Sequence, residues 1–305
     1  MEAIIIFDAA IVGGGPAALS AALNLKLRNK NFLVLAGNGK VTGLSKAPRV
    51  DNYLGLNSIG GKELLKSFKT HAKDMDIDVN TEMAYNILNM GDYYLINAGN
   101  NFYNAKTIII ATGKTKNTLL KGEEEYLGRG VGYCATCDGA LYKNKNVAII
   151  SENQEGEEEA RFLSEICSQV YYLPLYKLNS NSLKGVNIIN DKPTAILGDK
   201  NRVISLKTTE EVIAVDGVFI IRDVLPVNQL IEGLDLEDGS IKVDRAMATN
   251  LSGVFACGDC TGKPFQISKA VGEGNIAALS AVKYLDENRR WNNDRWKNDN
   301  WRYFI

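Results

Sequence analysis

The residues of this chain best suited to chemistry are two cysteines separated by two residues and followed by an acid. Cys134, Cys137 and Asp138 lie in the run Gly-Tyr-Cys-Ala-Thr-Cys-Asp-Gly. Two thiols at this spacing can close into a small, reducible disulfide, and the adjacent carboxylate can move the proton that thiol exchange requires. The same pair would also be half of a zinc site. The motif therefore needs its surroundings before it can be interpreted.

Length and composition place the motif in a protein of two medium domains. The chain has 305 residues, a net charge of −1 and five thinly spread cysteines, which supports neither nucleic-acid binding nor a polybasic membrane face. The longest apolar runs are strand-length, far below a membrane span. No signal peptide is visible at the start of the chain. We therefore expect a cytoplasmic protein without nucleic-acid or membrane partners, in a compartment where only catalytic disulfides normally cycle.

A glycine-rich turn near the N-terminus has the form of a dinucleotide site. It lies between a predicted strand and a predicted helix and follows the pattern Gly13-x-Gly15-x-x-Ala18. The first two positions allow a tight turn and close backbone approach to a pyrophosphate, and the helix N-terminus then faces the phosphate charge. The acidic ribose partner expected after the second strand is replaced by Ala36-Gly37. The unit predicts the beginning of a doubly wound α/β fold.

The apolar pattern predicts that a second α/β domain is inserted into the first. Predicted strands are residues 9–12, 32–35, 107–111, 146–150, 170–173, 185–190, 203–207, 212–219 and 253–256, and predicted helices are residues 16–29, 62–76, 157–167 and 270–285. We assign residues 1–114 plus 245–290 to the first domain and residues 115–244 to the insert. Hinges are expected near residues 114–116 and 243–245, and residues 291–305 form an aromatic tail that carries all three tryptophans.

The motifs as a set resemble the low-molecular-weight thioredoxin reductases. The set comprises the glycine loop, Cys-Ala-Thr-Cys and Gly-Val-Phe-Ala-Cys-Gly-Asp at residues 253–259. The resemblance covers most of the chain. It implies two Rossmann-like, three-layer domains, a homodimer, and FAD as the group that reduces the disulfide. The implied FAD-binding residues are Gly13, Gly15, Pro16, Ala17, Ala18, Ala36, Gly37, Asn52, Ala111, Thr112, Gly113, Gly258, Asp259, Gln266 and Ile267.

Individual roles are implied by the same resemblance. Asp259 matches the residue that holds the ribityl chain, and Gln266 matches one near the pyrimidine end of the flavin. Gly43 replaces a glutamine of the family. Cys137 corresponds to the thiol that faces the flavin, Cys134 to the thiolate that attacks the protein substrate, and Asp138 is the candidate acid/base.

The remaining cysteines and the single histidine have simpler interpretations. A zinc site would use Cys257 and Cys260, but these enclose Gly258-Asp259, where the flavin is expected. We therefore interpret them as small buried hydrophobic residues, and Cys167 likewise as core. His71 is interpreted as a surface residue.

The nicotinamide loop that thioredoxin reductases carry at the start of the inserted domain is missing. After the predicted strand 146–150 the chain reads Ser-Glu-Asn-Gln-Glu-Gly-Glu-Glu-Glu. None of the three early glycines of the family is kept, and carboxylates stand where phosphates would bind. The family's His-Arg-Arg is replaced by Pro174-Leu175-Tyr176, which leaves no guanidinium for a 2′-phosphate. We therefore expect that NADPH is not the electron donor.

A thioredoxin reductase-like flavoprotein without a nicotinamide site resembles the ferredoxin-dependent flavin thioredoxin reductases. In that family, reduced ferredoxin delivers single electrons to FAD, which then reduces the disulfide that serves thioredoxin. The inserted domain of these enzymes rotates between two geometries. This resemblance predicts ferredoxin as donor and thioredoxin or a thioredoxin-like protein as acceptor.

Other functions are also compatible with the sequence. Diflavin-linked disulfide oxidoreductases use a second FAD, and deeply branching relatives lay an aromatic tail over the flavin, a place that Trp291, Trp296 and Trp301 could take. A dithiol oxidase of small molecules would use the same loop but usually with a histidine beside it. A non-catalytic redox sensor is the remaining alternative.

Overall fold

The computed structural model describes residues 5–37, 43–114, 120–178, 183–222 and 226–299, with backbone only for residue 228 and residues 289–299. The chain divides into two compact units. The first comprises Met1–Thr115 and Pro226–Ile305, and the second comprises Lys116–Leu225. Each unit is described by itself below.

The first unit opens with a strand–helix–strand motif and continues into a β-meander. Its elements here are β1 (Ile6–Val12), α1 (Pro16–Lys26), β2 (Phe32–Leu35), α2 (Gly61–Asp74), β3 (Asn86–Asn89), β4 (Tyr94–Ala98) and β5 (Asn101–Ile110). A short 3₁₀ turn at Leu44–Lys46 precedes α2. Strands β3 and β4 are not among the strands predicted from the sequence, and only the apolar C-terminal end of β5 is.

The second unit contains a parallel sheet and a small antiparallel sheet. Its elements are β6 (Val131–Gly132), α3 (Ala135–Asp138), β7 (Asn146–Ser151), α4 (Glu155–Ile166), β8 (Gln169–Pro174), β9 (Asn187–Ile188), β10 (Pro193–Gly198), β11 (Val203–Thr208), β12 (Val212–Ala214) and β13 (Gly217–Ile221). The parallel strands follow the order β6-β13-β7-β8-β9, and β10-β11-β12 form the antiparallel sheet. Val147 and Ile149 of β7 pack with Ala160 and Leu163 of α4 in its core.

The chain then returns to the first unit and completes its sheet. The returning elements are α5 (Val227–Leu230), β14 (Leu236–Glu237), β15 (Ser240–Ile241), β16 (Val254–Ala256) and α6 (Ile267–Asp299). The sheet order is β2-β1-β5-β4-β3, with β16 paired to β5. The pairs of β1 with β2 and β5, and of β5 with β16, are parallel. Their carboxyl ends therefore meet at one edge of the sheet, where doubly wound folds bind ligands.

The two faces of this sheet are covered by different layers. Ala9 and Ile11 of β1 face α1 and α6 in one cluster. Ala10 and Val12 face the opposite side, where Ile96 of β4 and residues of α5 pack against them. The alternation along β1 follows from the period of two in a strand. The result is the three-layer arrangement that the sequence predicts.

Three boundaries differ from the sequence prediction. The return to the first unit occurs at Pro226 rather than near residue 245, because Ile231 bridges to Ile87 and Leu230 is buried in the core of that unit. The predicted strand 212–219 is divided into two strands. Asp216 forms hydrogen bonds with the backbone of Asn146, and the chain then continues into the parallel sheet. The last helix continues to Asp299.

Several predicted features fall wholly or partly outside the described residues. They include most of the first hinge and Trp301, and for Trp291 and Trp296 only helical backbone is described. None of the helices that the structure describes is long and apolar enough to cross a membrane.

Candidate functional site

The two predicted redox cysteines are joined in a disulfide in the second unit. Their Cα atoms lie 5.3 Å apart. Cys134 is buried and stands at the N-cap of α3, and its Sγ accepts a hydrogen bond of 3.1 Å from the backbone N–H of Cys137. A donor at this position favours a thiolate on Cys134 once the disulfide is reduced.

Asp138 follows the disulfide directly, at the C-terminal end of α3. One of its carboxylate oxygens lies against Gly132, where a Cβ would be 3.2 Å away. Partial burial raises the pKa of the Asp138 carboxyl above its usual value, which favours a proton on this group. The structure therefore places the predicted acid/base in the same short segment as the two cysteines.

A second carboxylate at the disulfide, Glu159 of α4, was missed by the sequence analysis. Its Oε2 accepts a hydrogen bond of 2.6 Å from the backbone N–H of Ala135, the residue after Cys134. Burial raises the pKa of Glu159 to about 7, against the opposing effect of the Ala135 hydrogen bond, and repulsion from Glu155 adds to the rise. In the sequence this residue is one of a run of glutamates, and nothing there distinguishes the one that turns inward.

A buried ion pair supports the strand that leads into the disulfide. Arg222 donates to both carboxylate oxygens of Glu123, which is fully buried. The hydroxyl of Tyr133, the residue before Cys134, donates to Glu123 at 2.8 Å. Because these residues are far apart in sequence, their association could not be predicted. The backbone N–H of Leu120 also donates to Glu123, at 2.8 Å. Together these contacts hold the segment before Cys134 in one position.

The glycine loop of the first unit forms the expected tight turn. Gly13 has φ +133°, and a Cβ there would lie 2.1 Å from the carbonyl oxygen of Ala111. The loop therefore packs directly on the predicted Ala-Thr-Gly segment at the end of β5. Gly15 differs, since a Cβ there would meet nothing within 4 Å. Open space beside the N-terminus of α1 is what close approach of a pyrophosphate requires.

Other predicted cofactor residues gather at the same carboxyl edge of the sheet. Ala36 and Gly37 follow β2, and Gly258 and Asp259 form a turn after β16. The Asn52 side chain donates to Gln266 Oε1 at 2.7 Å. Burial raises the pKa of Asp259 above its usual value. The remaining predicted positions lie at the helix starts or after β5, namely Pro16, Ala17, Ala18, Ile267, Thr112 and Gly113.

One polar atom at this edge is buried and unsatisfied within the described residues. Thr112 Oγ1 has no hydrogen-bond partner there, and a buried hydroxyl without a partner is costly. Together with the open space at Gly15, this fits a bound dinucleotide that supplies the missing contact. The residues present therefore fit the FAD that the sequence predicts.

A network behind this turn was also missed by the sequence analysis. Lys269 and Glu273 of α6 form an ion pair of 3.0 Å, and both bond Gly258 or Thr261. These two side chains of α6 hold the turn that carries Asp259. In the sequence, the charged positions of this helix look like ordinary surface residues.

The corresponding loop of the second unit, after β7, is filled by side chains. A Cβ at Gly156 would lie 2.3 Å from Ser151 Oγ and 3.0 Å from the hydroxyl of Tyr172. The Tyr176 hydroxyl donates to Glu157 at 2.7 Å and lies 3.0 Å from the Tyr172 hydroxyl. At the start of α4, where a Rossmann unit binds a nucleotide phosphate, Asn153 Oδ1 accepts a hydrogen bond of 3.0 Å from the backbone N–H of Glu155.

The remaining thiols and the histidine lie as the sequence analysis interprets them, except that Cys167 is only partly buried. Cys257 and Cys260 are free and buried, and burial raises the pKa of both thiols. His71 is exposed. Within the described ranges no group of three or more metal-ligating side chains could hold a metal ion.

Comparison with known proteins defines the class of this site. Residues 7–274 match the family model of the pyridine nucleotide-disulphide oxidoreductases. The chain is 31% identical over 306 residues to the thioredoxin reductase of Listeria innocua, an alignment that covers 92% of this chain and 95% of the relative. The chain therefore belongs to the pyridine nucleotide-disulphide oxidoreductase family, among the homologues of thioredoxin reductase.

Several solved structures are also similar to this chain. A crystal structure of a ferredoxin-flavin thioredoxin reductase from Clostridium acetobutylicum is 43% identical, with a TM-score of 0.86 over 94% of this chain and 99% of that one. A second structure under the same description is 46% identical, with a TM-score of 0.85 and 92% and 98% coverage. The atypical thioredoxin reductase TRi from Desulfovibrio vulgaris Hildenborough is 26% identical, with a TM-score of 0.65 and 92% and 98% coverage.

These comparisons confirm the predicted fold and enzyme class. The chain has the thioredoxin reductase-like α/β fold and is an oxidoreductase that acts on a disulfide. The family implies a flavin, FAD.

Proposed function

We propose that this protein is a ferredoxin-dependent, NADPH-independent flavin thioredoxin reductase. Reduced ferredoxin supplies electrons to FAD in the first unit, the Cys134–Cys137 disulfide is reduced, and thioredoxin or a thioredoxin-like protein is the final acceptor. Bound FAD would supply the ability to accept electrons singly and to give them up as a pair.

The observation that carries the proposal is the filled loop after β7. Residues 151–155 carry side chains where the family has glycines, Asn153 Oδ1 accepts a hydrogen bond from the backbone N–H of Glu155, and the first turn of α4 holds Glu155, Glu157 and Glu158. A pyrophosphate would meet both steric overlap and like charge at this position. The similarity to the Clostridium acetobutylicum ferredoxin-flavin thioredoxin reductase supports the same donor.

The roles of the cysteines in the proposal follow ordinary thiol exchange. Two electrons and two protons convert the Cys134–Cys137 disulfide into two thiols, with Cys137 as the thiol on the flavin side. The Cys134 thiolate attacks one sulfur of the thioredoxin disulfide and forms a mixed disulfide, and the other thioredoxin sulfur leaves as a thiolate. The Cys137 thiolate then attacks the Cys134 sulfur, which restores the disulfide and releases reduced thioredoxin.

Asp138 is proposed as the group that holds the moving proton. Its raised pKa allows it to carry a proton closer to neutral pH than an exposed carboxyl would. It can protonate the leaving thiolate of the substrate and accept a proton from Cys137 in the closing step.

The test is anaerobic production of thioredoxin thiols by the FAD-loaded full chain. We expect continuous turnover with reduced ferredoxin as the donor and none above background with NADPH. Turnover with NADPH at a rate comparable to ferredoxin would contradict the proposal, and turnover with neither donor would exclude a thioredoxin reductase role.

Several sequence predictions are outside this test. The homodimer, the cytoplasmic location and a second FAD stay predictions. The alternative of a tail stacked on the flavin depends on Trp291, Trp296 and Trp301, whose side chains lie outside the described residues.

A further inference from the structure

A face of the first unit carries five exposed lysines, which we call the lysine face. It consists of Lys62, Lys66, Lys69 and Lys73 of α2 together with Lys46 of the preceding 3₁₀ turn, and these residues line a groove on the surface. All five are exposed. The chain as a whole carries a net charge of −1, so this concentration of positive charge is local.

The helical geometry of α2 puts the four helix lysines on one side. At 3.6 residues per turn, positions 62, 66, 69 and 73 fall within an arc of about 60°. The acids of the helix, Glu63 and Asp74, lie about a quarter turn away from this arc. None of the ion pairs found in the described part of the chain involves a lysine of the face. Within the described residues, the positive charge of the lysine face is therefore not neutralised by ion pairs.

The buried residues of α2 connect the lysine face to the cofactor edge. Leu64 and Leu65 are buried in a cluster with Leu44, and Ile267 packs against that cluster. Ile267 is a predicted cofactor residue, and Gln266 next to it bonds Asn52. A protein docked on the lysine face would thus lie against the layer that adjoins the expected flavin.

We infer that the lysine face is the docking surface of the electron donor, and that this donor is a small redox protein with a carboxylate-rich surface around its redox centre. The inference rests on the proposed function, because it assigns a place to the ferredoxin named there. Charge complementarity of this kind guides encounter and orientation more than it adds to affinity. Both are needed by a donor that must bind, deliver one electron and leave before the next molecule binds.

The test is stopped-flow reduction of the flavin in the FAD-loaded full chain by reduced ferredoxin, at low and high salt. The variant carries Lys62→Gln, Lys66→Gln, Lys69→Gln and Lys73→Gln. The matched control carries Lys143→Gln, Lys184→Gln, Lys192→Gln and Lys207→Gln, four exposed lysines of the second unit. Dithionite, a small reductant, measures whether each flavin is still reducible.

We expect the second-order rate constant of the lysine-face variant to fall about tenfold or more at low salt, as loss of electrostatic steering predicts. The difference should shrink at high salt, where charges are screened. The control should stay within about twofold of the wild type, because its charges lie outside the docking surface. All three proteins should be reduced by dithionite at the same rate.

Two results would overturn the inference, and they are distinguishable. If ferredoxin reduces the wild type and the lysine-face variant equally fast at low salt, the docking surface is elsewhere and the proposed function stands. If dithionite reduces the wild type but ferredoxin does not, the proposed function fails together with the inference.

Discussion

The helices α1 and α4 begin differently, because Gly15 is the N-cap of α1 and Gln154 is the N-cap of α4. Beside Gly15 a Cβ would meet nothing within 4 Å, whereas the loop before α4 carries a side chain at every position from 151 to 155. The first turn of α1 contains no acid, and the first turn of α4 contains three. A helix N-terminus attracts phosphate only when space and charge allow it. The same fold can thus keep one nucleotide site and close another with a few side chains.

The largest expected effect concerns the disulfide of the second unit. Cys134→Ser should abolish reduction of thioredoxin, by about three orders of magnitude or more, because Cys137 alone cannot form the disulfide that releases reduced thioredoxin. Anaerobic turnover with reduced ferredoxin measures this. Cys167→Ser is the matched control, and its turnover should be close to that of the wild type because Cys167 is a partly buried free thiol outside the disulfide. Full activity of Cys134→Ser would remove Cys134 from the chemistry.

The next prediction tests the comparison of the two units directly. Gly15→Ala should weaken FAD binding about tenfold to a hundredfold, because the new methyl enters space reserved for the ligand, while the stability of the apoprotein stays unchanged. Gly156→Ala should do the reverse, with a loss of about 1–3 kcal/mol in the free energy of unfolding and unaltered FAD affinity. Flavin titration and denaturant unfolding separate the two. Equal loss of FAD affinity in both variants would contradict the assignment of the loops.

A smaller effect is a pH dependence in the disulfide segment. Glu159 has its pKa raised to about 7, so the carboxyl is neutral below that value and gains its charge above it. A charge that is hydrogen-bonded to Ala135, the residue after Cys134, opposes formation of the Cys134 thiolate. Glu159→Gln should therefore lower the pKa of the reduced Cys134 thiol by about one unit.

The rate of Cys134 alkylation as a function of pH, followed on the Cys134 peptide by mass spectrometry, measures this shift. The control is Glu158→Gln, an exposed neighbour, which should leave the alkylation profile in place. An unchanged profile in Glu159→Gln would show that its carboxylate does not influence the thiol.

The smallest expected effect concerns the hydrogen bonds of Tyr176 in the second unit. Tyr176→Phe removes the hydrogen bonds to Glu157 and Tyr172. It should cost about 1 kcal/mol of unfolding free energy, without creating a response of the flavin to NADPH, since Ser151 and the glutamates remain. Reduction of the variant by NADPH would mean that the Tyr176 hydroxyl alone closes the site.

Local sequence patterns predicted the parts of the fold and site that depend on nearby residues. The glycine loop, the cysteine pair and the main strands β1, β7 and β8 are short-range features with strong patterns. Contacts between distant segments were not predictable. Glu123 finds Arg222 only after the parallel sheet has formed, and Glu159 reaches Ala135 only because α4 packs on the disulfide segment. The early return at Pro226 is of the same kind, since it depends on burial of Leu230 in a core assembled from other strands.

The most direct test of the central claim, that electrons enter without a nicotinamide site, is an anaerobic titration of the bound flavin. The absorbance of the oxidised flavin is followed first during addition of NADPH and then during addition of reduced ferredoxin. We expect no bleaching by NADPH and complete bleaching by ferredoxin, which must supply two electrons for the flavin and two for the Cys134–Cys137 disulfide. Stoichiometric bleaching by NADPH would contradict the central claim, because the loop after β7 would then have to accept the nucleotide that its side chains exclude.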